Sequence, residues 1–142
     1  MPNVRVRVRC DPHRSRIVEH YAQLYPSWVK EYRQPVTAAS ASAGHRGRKA
    51  EGGSGVERAA MRKAVLKRRM DIIEQCASRA CRGEKIMVRY LLRGVCEGYT
   101  FDQLKGQGMP YEREAYYKRR HLFYDLLCRE LFEGEGLSEH GK

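Results

Sequence analysis

Between Gly83 and Phe132 the chain sets a short amphipathic segment against a long one, with almost no room between them. Thr100-Phe101-Asp102-Gln103-Leu104 has the Thr-x-x-Gln pattern of a capping box, which opens a short helix with Phe101 and Leu104 inward. Gly106 and Gly108 supply the backbone freedom of a tight turn, and Pro110, with its preset φ, suits the first position of a second helix. From Tyr111 that helix is predicted to run to about Phe132, with Tyr116-Tyr117-Lys118-Arg119-Arg120 crowding its first half. A short helix, a glycine-bearing turn and a cationic second helix are the grammar of a helix-turn-helix, whose second helix enters the DNA major groove.

Spacing divides the last helix into two faces. Tyr116, Phe123, Leu126, Leu127, Glu130 and Leu131 recur at roughly 3.6-residue steps, and this stripe is predicted to pack on Phe101, Leu104 and Met109. The other face carries Glu112, Arg113, Tyr117, Lys118, Arg120 and His121. Recognition helices read bases from this N-terminal portion: Arg forks onto guanine O6 and N7, and Glu accepts from cytosine N4. Glu112, Arg113, Tyr117, Arg120 and His121 are therefore the candidate base readers. Thr100, Lys105, Lys118, Arg68 and Arg69 are the candidate phosphate contacts, which position without specifying. Arg119 is left to pair with Asp102 or Glu130.

Upstream, Ser54 can cap a helix from about Val56 to Arg82, in which Val56, Ala60, Ala64, Met70, Ile73, Cys76 and Ala80 keep helical spacing and Lys67-Arg68-Arg69 lies on the remaining surface. Gly83 ends it, and Glu84 to about Gly94 forms the next helix around Ile86, Met87, Tyr90 and Leu91. Asp11 or Ser15 can cap a helix to about Tyr25, with Ile17, Val18, Tyr21 and Leu24 at helical spacing. Pro26 then breaks or kinks the chain before Trp28, Val29 and Tyr32. These aromatics are expected to staple the arm to the C-terminal helices. Val4-Arg5-Val6-Arg7-Val8-Arg9 alternates with period two and fits either a short strand or a flexible basic arm.

Formal net charge is +11, and the cations are spread along the chain. Residues 1–55 hold ten Lys/Arg against four Asp/Glu, and residues 56–142 hold eighteen against thirteen. Such a balance favours an anionic polymer, because each cation that neutralises a phosphate releases condensed counterions. No run of about 18 apolar residues is present, so no membrane span is expected, and the basic N-terminus lacks the apolar stretch of a secretory signal. Cys10, Cys76, Cys81, Cys96 and Cys128 are odd in number and form no Cys-x-x-Cys. They are expected as reduced thiols rather than a disulfide framework or zinc site. The five histidines are scattered, and no phosphate-binding Gly-x-x-x-x-Gly-Lys loop occurs. Neither an enzyme, a metal nor a cofactor is expected.

The positions Val56-Glu57, Gly83-Glu84-Lys85-Ile86, Arg89-Tyr90-Leu91-Leu92, Tyr99 to Leu104, Met109-Pro110, Tyr116 to Arg120, Phe123 and Leu126 resemble the ArpU family of phage transcriptional regulators. A Tyr-x-x-Leu-Tyr helix and a Pro-Val-Thr-Ala loop at Pro35 to Ala38 extend the resemblance over roughly residues 14–132. Pro110 stands where the sigma-like helices of that family usually have a Ser or Thr cap. The resemblance implies control of late, packaging or lysis genes through a C-terminal half like the fourth region of sigma factors, in the cytoplasm of a bacterial host.

The expectation is an all-α protein: a basic segment and helical arm over 1–33, a polar flexible loop over 34–55, a helical DNA-binding domain over 56–133 with its helix-turn-helix at about 84–132, and a disordered tail over 134–142. The expected partner is double-stranded DNA, with RNA polymerase and further copies of the chain as additional partners and no membrane. Two alternatives remain open. One is a small terminase subunit recognising packaging DNA as an oligomer, and the other is a sigma-like accessory protein gripping RNA polymerase.

Overall fold

A computed structural model describes residues 11–35 and 55–133. The Val4–Arg9 alternation, the Ser54 cap, most of the 34–55 loop and the 134–142 tail lie outside the described residues. Within them the chain is all-α, with α1 Pro12–Gln23, α2 Tyr25–Arg33, α3 Gly55–Ala80, α4 Lys85–Glu97, α5 Phe101–Gly106 and α6 Arg113–Phe132. No helix among these residues is long and apolar enough to cross a membrane.

Local chemistry sets most of the ends. The Asp11 carboxylate accepts from the Arg14 N–H at 2.8 Å, and Pro12 occupies the first turn of α1, where a missing N–H costs nothing. Pro26 has no N–H to offer the Ala22 carbonyl, so the helix breaks at Leu24 and restarts one residue later with Pro26 in its first turn. Ile17 and Leu24, expected inward, are exposed, while Val18 and Ala22 are buried. The chain does not stop at Gly94 as its composition suggests. Instead α4 continues to Glu97, and Gly98 takes the left-handed cap position at φ 82°.

One core unites all six helices. α3 lies along α6 and α2, and α1 rests on α4 and α6. Trp28 from α2 is buried, edge-on to Tyr21 at 4.9 Å, with the Arg69 guanidinium 5.5 Å over its ring. Glu31 pairs with Arg62 at 3.0 Å, Lys63 lies 4.8 Å over Tyr32, and the Tyr25 hydroxyl donates to Glu74 at 2.5 Å. Burial and that bond to Glu74 raise the Tyr25 pKa. The aromatics of residues 21–32 thus fasten the N-terminal helices to α3.

Cys76, Cys81 and Cys96 are free and buried. Cys128 is disulfide-bonded, so the expectation of reduced thiols throughout does not hold for it. Which cysteines meet depends on the folded path and cannot be counted along a sequence. Burial pushes the thiols of Cys76 and Cys96 up from 9.0 to about 12, and that of Cys81 to about 11. Because the unfolded chain releases these protons first, their contribution to stability is complete below pH 9 and is lost as the pH rises through 11 to 12. The urea midpoint should therefore fall progressively above pH 9, and native-state alkylation of the three thiols should be slow at neutral pH. Equal midpoints at pH 8 and pH 10.5 would contradict this reading.

Candidate nucleic-acid interface

The short helix α5 forms because both halves of its cap are made. The Thr100 hydroxyl accepts from the Gln103 N–H at 3.1 Å, and the Gln103 side chain accepts from the Thr100 N–H at 2.8 Å. Phe101 and Leu104 are buried as the spacing required. Beyond α5 the chain turns through Gly108, whose φ of 101° favours glycine, and Met109 re-enters the core.

The second helix begins later than expected. Pro110 and Tyr111 lie outside it, Glu112 is the N-cap residue and Arg113 is the first helical position. The connection is therefore longer than the three or four residues of many helix-turn-helix units. Side chains hold it in place. Lys105 donates to the carbonyls of Met109 (3.1 Å) and Tyr111 (3.3 Å), Tyr90 donates to the Gln107 carbonyl at 2.9 Å, and Arg93 donates to the Gln107 side chain at 2.6 Å. Tyr111 donates to Glu84 at 2.6 Å. Lys105 is accordingly a strut of the link and leaves the phosphate set, because nearby orphan carbonyls capture its ammonium. Thr100 is committed to its cap.

Of the expected readers, Glu112, Arg113, Tyr117 and His121 are exposed, as is Lys118. Arg113 lies back across α5, 3.5 Å from Asp102 and 4.6 Å over the Phe101 ring. The Asp102 partnership expected for Arg119 belongs to Arg113 instead. Arg119 stacks 5.4 Å over Tyr111, and its buried Nε has no hydrogen-bond partner. Tyr117 packs against Tyr116 at 5.1 Å and keeps one edge outward.

Arg120 does not lie on the open face of α6. It is half-buried, donates to the Tyr116 hydroxyl at 3.2 Å and lies 5.6 Å from the Tyr124 ring centroid. The signal was in the spacing: position 120 falls four residues after Tyr116 and three before Phe123, within the inward stripe. Arg69 is likewise drawn onto Trp28. Arg68 is exposed, about 20 Å along the chain of α3 before the turn at Arg82, at 1.5 Å per residue.

Two residues near the α6 start were not singled out. Arg82, from the turn after α3, and Glu114, in the first turn of α6, line a surface depression of about 710 Å³ with Glu112, Lys118 and His121. Glu114 suits the positive end of the α6 dipole, and with Glu112 it leaves the helix tip mixed in charge. Such a tip suits base edges, including cytosine N4 donors, better than a phosphate row. The flanking cations Arg82 and Lys118 are the ones suited to phosphates. Among the described residues, no cluster of three or more His, Cys, Asp or Glu is arranged to hold a metal. Comparison with models of protein families, with curated proteins and with solved structures finds no match to this chain.

Proposed function

We propose that the chain is a DNA-binding regulator rather than an enzyme, and that it recognises a specific double-stranded site with the start of α6 in the major groove. The observation that carries the reading is Arg113. It is the first residue of α6, its side chain is 62% exposed, and Asp102 and Phe101 hold its guanidinium over α5. An arginine pre-oriented in this way loses less rotamer freedom on forking onto a guanine. Lys118 and Arg82 beside it, and a net charge of +11, support a phosphate-driven component. The resemblance to ArpU-type regulators extends the proposal to phage late genes in a bacterial cytoplasm, where such a protein works beside RNA polymerase.

Selection from a random duplex pool at two salt concentrations, read by sequencing, tests this. One enriched motif that survives the higher salt is expected. Uniform binding that collapses with salt would sink base readout. Once a motif is found, Arg113→Ala should cost about 1–3 kcal/mol on the cognate site and little on random DNA, whereas Lys118→Ala should weaken all duplexes alike and reduce the salt slope by about 1. Equal losses on cognate and random DNA for Arg113→Ala would remove it from the readers.

A further inference from the structure

Away from the α6 tip, a recess of about 330 Å³ opens between α1, the α4–α5 junction and the middle of α6. Tyr117, Arg120 and Tyr124 form its α6 wall, Tyr99 stands at the junction, and Glu19 and Gln23 close it from α1. Its volume is at the small end of ligand pockets.

Arg120 is what makes the recess chemically distinctive. A guanidinium carries five N–H donors in a planar fork, and among the described residues this one makes a single hydrogen bond, to Tyr116. Among the described residues no carboxylate lies within salt-bridge distance of it. Burial disfavours its charge, but Tyr124 and the Tyr116 hydroxyl beside it leave its pKa raised, so it remains a cation facing the recess. The unused donors match the geometry of phosphate oxygens, which accept two parallel N–H bonds. Glu19 is the one carboxylate among the recess walls. It shares the cavity without pairing with Arg120, so its negative charge opposes the entry of an anion.

We propose that this recess is a phosphate-binding site in which Arg120 supplies the bidentate fork. The phosphate belongs either to a duplex backbone or to a free phosphate compound. The proposal stands apart from base reading by α6, because its probe is inorganic phosphate.

The full chain is titrated with inorganic phosphate, against chloride at matched ionic strength, and followed by the tyrosine ring NMR signals. Saturable shifts of Tyr117 and Tyr124 are expected. Affinity should fall about tenfold or more in Arg120→Gln, remain unchanged in Lys30→Ala on the exposed surface of α2, and rise about threefold in Glu19→Gln as the repelling charge is removed. Should Arg120→Gln fail to fold, Glu19→Gln decides, since its substitution is on the exposed α1 surface. Shifts identical to those in chloride, or no tightening in Glu19→Gln, overturn the proposal. In the confirming case, displacement of phosphate by excess duplex assigns the site to the DNA backbone. Retention of phosphate alongside duplex assigns it to a free phosphate compound.

Discussion

Trp28→Ala is expected to lower the unfolding free energy by about 3–5 kcal/mol, a large share of the roughly 5–15 kcal/mol available to an ordinary domain. Trp28 is 5% exposed, with Tyr21 at its edge and Arg69 over its face. Truncation leaves a cavity where α2 meets α3 and removes the surface on which Arg69 rests. Since Val18 and Ala22 of α1 share the same core as Phe123 and Leu127, the loss should appear in one cooperative transition across the molecule. Chemical denaturation followed by both helix content and Trp-independent tyrosine signals measures it. A loss under about 1 kcal/mol, or a separate early transition for residues 11–35, would show that the N-terminal helices are an appendage.

Gly94→Ala should also destabilise, although alanine is the better helix former by about 1 kcal/mol. A Cβ at Gly94 would meet the Tyr116 hydroxyl and lie 3.3 Å from the ring carbon bearing it. Tyr116 is 1% exposed and wedged against Phe101 and Tyr117, so it cannot swing away. Overpacking of this kind costs about 1–3 kcal/mol, and the rigid site puts the net loss near 2 kcal/mol after the propensity gain. Tyr116→Phe removes the clashing oxygen, so the double variant should recover a good part of the loss relative to Tyr116→Phe alone. Additive losses in the double-mutant cycle would show that the α4–α6 approach is looser than this packing implies.

Elements governed by neighbours in sequence were legible. Asp11 and Thr100 are caps because their side chains reach N–H groups three residues on. Tyr116, Phe123 and Leu127 are buried because helical spacing puts them on one face. Candidate-site errors came where an alternative partner lay on another element or in the folded link. Lys105 was expected as a phosphate contact, but the carbonyls of Met109 and Tyr111 lie within its reach. Arg113 was read correctly as exposed, yet its hold by Asp102 exists only once α5 and α6 fold back on each other. Arg120 was a misreading of a visible pattern, because a charged residue on an apolar stripe was moved to the solvent face instead of being given a buried role.

The sequence alone determined the helical class, the capped α5, the inward stripe of α6 and the basic character of the chain. All of these depend on contacts within a turn or two of helix, or on composition. Tertiary structure decided that Gly94 is an interior contact rather than a stop, that the first turn of α6 starts at Arg113, that Trp28 locks the N-terminal helices onto α3, and that Arg120 faces a recess. These depend on which surfaces approach within a few ångströms across long sequence separations, and no local spacing encodes that distance.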